Sequence, residues 1–192
     1  MELKLLDKSM IEDAAKIYAE CFLDDPIYHW FFTNEKTRFR KSVIFFIYEL
    51  MESIDFTYYA EDMKGLIVLK KPEDSFKKIK VSFMTKALFK TDPICCIKGL
   101  HYRHICERCK KKYMPKNADY ISLLCVSKDA RHQGIARKMI EKTSTTPVFL
   151  ETQNQVNLAF YKGLGFEVLA KLKIAKGLYH YALLKKQELP IK

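Results

Sequence analysis

The stretch that decides the expected fold reads Tyr120-Ile-Ser-Leu-Leu-Cys-Val126, and it is followed shortly by Arg131-His-Gln-Gly-Ile-Ala136. The first segment is an apolar run of strand length, and the second opens a helical pattern that runs from Gly134 to Lys142. A second apolar strand, Pro147 to Glu151, and a second helix, Val156 to Leu164, come next. This strand–helix–strand–helix order predicts two parallel strands joined by a right-handed crossover.

The flanking sequence predicts further elements of both types. Ser9 and Glu12 form a capping-box pattern, which predicts that a helix begins there. Residues from about 75 to 114 have a mostly helical and basic pattern, with breaks expected at Asp92-Pro93 and Gly99. The other predicted elements are a strand at Leu3–Leu6, helices at Ile11–Phe22 and Asn34–Ser53, strands at Phe56–Glu61 and Gly65–Lys70, and a hairpin of Phe166–Ala175 with Leu178–Lys185.

Length and composition favour a single globular domain spanning residues 1–192. Hydrophobic residues make up 48% of the chain and it has only 6 glycines, which excludes a disordered or fibrous protein. The 6 cysteines and the lack of a long apolar core near Met1 predict reduced thiols and a cytoplasmic location. The most apolar run, Val43 to Met51, is too short to cross a bilayer and contains Glu49, so no membrane partner is expected.

The net charge of +11 favours an anionic partner. Nucleic acid is one candidate, but the Lys and Arg residues are spread along the chain rather than gathered in one stripe. A nucleotide cofactor with several phosphates would benefit from the same charge. We therefore expect a nucleotide cofactor rather than nucleic acid.

The turn before the helix has the features of a phosphate-binding loop. A helix N-terminus carries unpaired amides and partial positive charge, so it attracts anions. Gly134 lacks the Cβ that would keep a phosphate from the backbone, Ala136 is small, and Arg137 and Lys138 add cationic charge. The pattern is neither a Walker loop nor the three-glycine dinucleotide fingerprint. The alternative is an ordinary strand-to-helix turn with a capping glycine.

A second set of residues extends this pattern. It consists of Phe149-Leu-Glu-Thr152, Asn157-Leu-Ala-Phe-Tyr161 and Gly163-Leu-Gly-Phe166. Together with Arg131, Gly134 and Ala136, these residues resemble the GNAT superfamily of N-acetyltransferases, with close resemblance over about residues 119–185. The sequence of these motifs is most similar to the branch that contains puromycin acetyltransferase. The early segment Cys21-Phe-Leu-Asp-Asp-Pro26 and Trp30 also resemble that branch.

The resemblance implies a fold and a reaction. The fold is mixed α/β: a twisted mixed sheet with a parallel, splayed central strand pair and helices on both faces. The reaction is direct transfer of an acetyl group from acetyl-CoA to a primary amine of a small molecule, by a monomer or a homodimer. Two alternatives remain open, a non-catalytic acyl-CoA-binding sensor of the same fold and a protein or peptide N-acetyltransferase.

The resemblance also implies functional residues. Tyr161 is expected near the departing sulfur as a proton donor, although it could simply be a packed helix tyrosine. Glu151 is expected to orient or deprotonate the amine, with Asp119 and Tyr120 as weaker rivals. Asn157 is expected either to bind the cofactor arm or to steady the turn. The cofactor-binding residues expected besides these are Leu124, Cys125 and Val126 for the pantetheine arm, and Arg131, His132, Gln133, Gly134, Ile135, Ala136 and Arg137 for the pyrophosphate.

A separate group of metal-ligand types lies in the basic segment. Its members are Cys95, Cys96, His101, His104, Cys106 and Cys109. Cys106 and Cys109 have the spacing of a metal knuckle. The segment has a helical pattern, however, no second such pair follows, and Lys110 to Lys112 would repel a cation. We therefore expect no metal and interpret the segment as a basic helix with buried thiols.

Overall fold

A computed structural model describes residues 1–75, 93–143 and 147–186. Within these ranges the chain forms seven strands in one sheet. The strands are β1 (Lys4–Leu5), β2 (Thr57–Ala60), β3 (Gly65–Lys70), β4 (Asp119–Val126), β5 (Val148–Thr152), β6 (Glu167–Ala175) and β7 (Leu178–Lys185). The helices are α1 (Ile11–Cys21), α2 (Pro26–Phe31), α3 (Glu35–Ser53), α4 (Pro72–Ser75), α5 (Pro93–Tyr113), α6 (Ile135–Thr143) and α7 (Asn157–Lys162).

The sheet has the order β1-β2-β3-β4-β5-β7-β6. Only β4 and β5 pair in parallel, and α6 connects them along the chain; the other neighbouring strands are antiparallel. The hairpin of β6 and β7 lies at one edge, with β7 against β5. The predicted mixed sheet with a parallel central pair is confirmed.

The parallel pair separates after three residues. Asp119–Ile121 of β4 pair with Val148–Leu150 of β5, and no pairing follows. The opposite edge of β4 stays paired with β3, but the register shifts between Val68 and Leu69, so Ser122 is the extra residue of a β-bulge. The bulge begins directly after the last β4 residue that pairs with β5, at the point where the two strands separate.

Helices cover both faces of the sheet. The first face carries α1, α2 and α3, which pack against residues such as Leu66 and Cys125. The opposite face carries α6 and α7, which pack against residues such as Ile67 and Leu150. A Cβ at Gly65 would lie 2.6 Å from the Met139 sulfur, so α6 approaches β3 closely only because glycine stands there. None of the described helices is long and apolar enough to span a membrane.

Two helix boundaries differ from the sequence predictions. The Ser9–Glu12 capping box is wrong, because a short 3-10 turn precedes α1 and Asp7 accepts the Ser9 amide at 2.8 Å instead. The break at Gly99 is also wrong, because α5 continues through it. One glycine costs a helix only about 1 kcal/mol, which buried side chains elsewhere along α5 offset. The expected break at Asp92 lies outside the described residues.

Candidate active site

The splay leaves one edge of β4 without a strand partner among the described residues. Leu124, Cys125 and Val126 pair on their other side with Ile67, Leu66 and Gly65 of β3. Amide and carbonyl groups on the open edge are therefore available to a ligand that carries amides. The carbonyl at the end of the strand is already used: that of Val126 accepts from Cys21 Sγ and from Arg131 Nε, each at 3.4 Å.

The loop residues from Arg131 to Gly134 are exposed, and Ile135, the first residue of α6, is buried. His132 and Gly134 both have positive φ, at 64° and 75°, which turns the chain sharply into α6. The first backbone bond of the turn runs from the Lys138 amide to the Gly134 carbonyl at 3.0 Å, so the earlier amides have no acceptor within the helix. A Cβ at Gly134 would meet nothing within 4 Å. The space beside Gly134 is open.

Side chains of the loop support its shape. Gln133 donates to the Asp129 carbonyl at 3.4 Å across the turn. Arg137 donates to the Gly163 carbonyl at 3.5 Å and lies 3.8 Å from Glu141, so it joins the start of α6 to the end of α7. The structure thus brings the predicted loop residues together at one exposed turn, with the guanidinium of Arg137 partly engaged by the protein itself.

Tyr161 lies on α7 on the same face of the sheet as α6. It is buried against Phe166, with ring centroids 5.7 Å apart, and Asn157 precedes it by one helical turn. Burial and, to a lesser degree, the Asp25 carboxylate raise the pKa of the Tyr161 phenol. The phenol is therefore protonated at neutral pH and can donate a proton.

Glu151 is the first residue of β5 beyond the segment that pairs with β4. Its side chain is only 5% exposed, so it is not an ordinary solvated strand end. Tyr120 donates its hydroxyl to Glu151 Oε2 at 2.9 Å, and His180 Nε2 lies 2.9 Å from Oε1. Both partners lie one diagonal step from Glu151 on the strands that flank β5. Gln153 Nε2 then lies 3.0 Å from His180 Nδ1.

The two rival proton acceptors have other roles. Asp119 is fully buried, and its Oδ2 is 3.0 Å from Lys71 Nζ. Burial and the neighbouring Glu151 carboxylate raise the pKa of Tyr120, so its hydroxyl remains a donor to Glu151. Tyr120 and His180 therefore hold Glu151, and not Asp119, at the point where β4 and β5 separate.

Sequence reasoning missed His180, although β7 contains a signal for it. The strand reads Leu178-Tyr-His-Tyr-Ala-Leu-Leu-Lys185, and alternation places His180 on the face of Leu178 and Ala182. A polar side chain on a buried face needs a hydrogen-bond partner. That requirement indicates a buried partner without identifying Glu151.

The predicted Cys/His group does not come together as one cluster among the described residues. Cys95 and Cys96 pack with the first helices, whereas Cys106 lies with Glu151 and His180, the three ligand atoms within 4.8 Å of one another. Cysteine, glutamate and histidine are zinc ligands. Burial raises the pKa of Cys106, and burial with Glu151 raises that of Cys109 to about 12, so both thiols are protonated at neutral pH.

A surface groove is a candidate acceptor site. It has a volume of about 400 Å³ and lies between the start of α2 and the turn of the β6–β7 hairpin. Asp25, which caps α2 through the Ile27 amide at 3.1 Å, adjoins this groove and is buried. Burial raises the pKa of the Asp25 carboxyl, and the Ile27 amide opposes that effect. The lining residues are Asp24, Pro26, His29, Trp30, Lys176, Gly177 and Leu178.

Comparison with known proteins supports this assignment of the fold. A family model described as an acetyltransferase (GNAT) domain matches residues 100–168, which include β4, the loop, β5 and α7. A search of curated proteins found no match. A protein described as histone acetyltransferase HPA2 and related acetyltransferase, from Corynebacterium glutamicum ATCC 13032, is 13% identical over 99% of this chain and 98% of its own, with a TM-score of 0.62. The chain has the GNAT fold.

Two further solved structures share the GNAT fold. An N-acetyltransferase from Staphylococcus aureus Mu50 is 16% identical over 96% of this chain and 100% of its own, with a TM-score of 0.59. Arylalkylamine N-acetyltransferase 2 from Aedes aegypti is 12% identical over 96% of this chain and 98% of its own, with a TM-score of 0.58. These comparisons do not confirm the puromycin acetyltransferase-like branch.

Proposed function

We propose that this chain is an acetyl-CoA-dependent N-acetyltransferase that moves the acetyl group directly to a primary amine of a small molecule. The observation that carries the proposal is the splay of β4 from β5, which is followed directly by the loop with exposed amides from Arg131 to Ile135. Acceptors named for proteins of this fold include histone and arylalkylamine. The groove of about 400 Å³ could accept a small amine.

The chain offers distinct sites to the two parts of acetyl-CoA. The open edge at Leu124, Cys125 and Val126 can pair with the amides of the pantetheine arm. The amides of the loop, together with Arg131 and Arg137, can hold the pyrophosphate. Asn157, one turn before Tyr161, would bind the arm or steady the turn.

The two proposed catalytic side chains lie on opposite faces of the sheet. Tyr161 packs with Leu150, whereas Glu151, the next strand residue, points to the face of Tyr120. The acceptor amine loses a proton to Glu151 as its nitrogen attacks the thioester carbon. The carbon–sulfur bond then breaks, and Tyr161 protonates the departing thiolate. Glu151 afterwards releases its proton to solvent and the Tyr161 phenolate takes one up, which restores both side chains. Acetyl-CoA supplies the activated acetyl group, and no metal takes part.

The test is release of free thiol from acetyl-CoA in the presence of a panel of primary amines. The panel includes arylalkylamines, polyamines, amino acids and peptides with free N-termini. We expect release that depends on one class of small amine and is abolished by Glu151→Gln. Binding of acetyl-CoA without thiol release from any amine would favour the sensor alternative, and release with peptides alone would favour a protein N-acetyltransferase.

A further inference from the structure

His180 contacts the carboxylate that the proposed reaction uses as its proton acceptor. Because the Gln153 amide lies 3.0 Å from Nδ1 and can donate to it, the neutral ring carries its proton on Nε2, directed at Glu151. A side-chain amide can also turn its oxygen toward Nδ1 and accept from a protonated ring. The surroundings of His180 thus accommodate both charge states of the imidazole.

The thiols and phenols that face this pair keep their protons between pH 5 and pH 8. Burial raises the pKa of Tyr102 and Cys106 on α5, and of Tyr120 on β4. Cys109 has a pKa raised to about 12, and Lys110 Nζ lies 4.7 Å from the centroid of the Tyr120 ring. From α3, the Glu49 carboxylate acts on Tyr120. Imidazole is the side-chain type that changes charge in this range.

We propose that His180 is a positioning residue that sets the pH range in which Glu151 can accept the proton of the acceptor amine; the proposal rests on the N-acetyltransferase function proposed above. A neutral His180 donates from Nε2, holds the carboxylate in place and leaves it basic. A protonated His180 forms an ion pair with Glu151, at the same distance of 2.9 Å. That ion pair stabilises the charged carboxylate and makes it a poorer proton acceptor.

The proton balance of the reaction is unchanged by this role. The amine nitrogen forms the bond to the acetyl carbon, and its proton moves to the Glu151 carboxylate. The neutral His180 keeps its Nε2 proton throughout and receives none from the substrate. Protonation from solvent at low pH, on Nδ1 beside Gln153, is the event that switches the acceptor off.

The test compares His180→Gln with wild type by thiol release from acetyl-CoA, with phenethylamine as the probe and spermidine as a second probe. Glutamine keeps a donor toward Glu151 but does not titrate. The kcat/KM of the variant is divided by that of wild type at each pH. Ionisation of the amine affects both values equally, so it does not change their ratio. We expect the ratio of variant to wild type to rise about tenfold between pH 8 and pH 5.5, because glutamine cannot gain the proton that an imidazole can gain in this range.

A matched control separates this role from a structural one. His104→Gln makes the same chemical change at an exposed position of α5, and its ratio should stay flat with pH. A flat ratio for His180→Gln overturns the proposal while wild-type turnover upholds the proposed function. If wild type releases no thiol with either probe or with the wider amine panel, the proposed function fails, and the proposal fails with it.

A second measurement does not depend on activity. The pH titration of the His180 ring is followed by NMR in wild type and in Glu151→Gln. Loss of a carboxylate in direct contact should move the midpoint by about one pH unit or more toward lower pH. An unchanged midpoint means that the two side chains are not coupled in solution, which overturns the proposal.

Discussion

Replacement of Gly134 by Asp should weaken binding of CoA strongly while the fold persists. The glycine has a φ of 75°, and a Cβ there would meet nothing within 4 Å, so the cost to folding is backbone strain without a clash. Asp and Asn enter this left-handed region more readily than other residues, and we expect a loss of about 1 kcal/mol in the free energy of unfolding. The new carboxylate would face the proposed pyrophosphate.

The size of the effect follows from the open position of the loop. Two like charges about 4 Å apart repel by about 1 kcal/mol in water and about 4 kcal/mol at an effective dielectric constant of about 20. The exposed loop lies between these limits, so the dissociation constant of CoA should rise about 5-fold to nearly 1000-fold from charge alone. Gly134→Asn is the matched control, because it adds nearly the same atoms and strain without the charge.

Isothermal titration calorimetry with CoA measures the effect, and circular dichroism checks the fold. The Gly134→Asn variant should bind CoA about 5-fold to nearly 1000-fold more tightly than Gly134→Asp. This difference should shrink at about 1 M salt, where the screening length is about 3 Å. Equal affinities of the two variants, with native circular dichroism, would refute the placement of the pyrophosphate at this loop.

Three other predictions follow from the site. Tyr161→Phe should lower turnover about tenfold to a thousandfold with little change in CoA affinity, by steady-state kinetics and calorimetry, because only the donor oxygen is lost. Chelator-washed protein should contain no stoichiometric zinc by elemental analysis, because the raised pKa values of Cys106 and Cys109 keep both thiols protonated. Asp25→Asn should raise Tm at pH 8 and progressively less as the pH falls, because an acid whose pKa is higher in the folded state opposes folding more as the pH rises.

Each of these predictions has a clear contrary result. CoA affinity that falls in step with turnover would make Tyr161 a cofactor-holding residue. One equivalent of zinc would mean that Cys106, Glu151 and His180 bind metal rather than one another. A Tm gain for Asp25→Asn that is the same at pH 8 and pH 4 would show that the effect has no electrostatic origin, since asparagine also caps helices well.

The fold was predictable from the sequence because its signals are local. The apolar runs before Arg131 and before Glu151, and the helices that follow them, have periodicities that span a single element. The missed helix α2 shows the limit: its residues Pro26–Phe31 are nearly all apolar and too few to show a period. Asp25 accepts from the Ile27 amide and Pro26 stands in the first turn of α2, but no helical period follows these two starting signals.

The site was predictable only where one segment builds it. The loop at Gly134 is a single strand-to-helix turn, so its shape followed from its own residues. The surroundings of Glu151 come from three strands and α5, and two of the residues that meet there, Cys106 and His180, lie 74 positions apart. No local pattern links residues at such separations. His180 and the burial of Asp25 therefore emerged only from the packed structure.

The most direct test of the account is titration of the wild-type protein with acetyl-CoA in a calorimeter. We predict saturable binding of one molecule per chain, together with a Tm that rises with ligand concentration, because a ligand that binds only the folded state stabilises it. Absence of any binding at millimolar acetyl-CoA would contradict the assignment of the splay and the Arg131–Ile135 loop as its site.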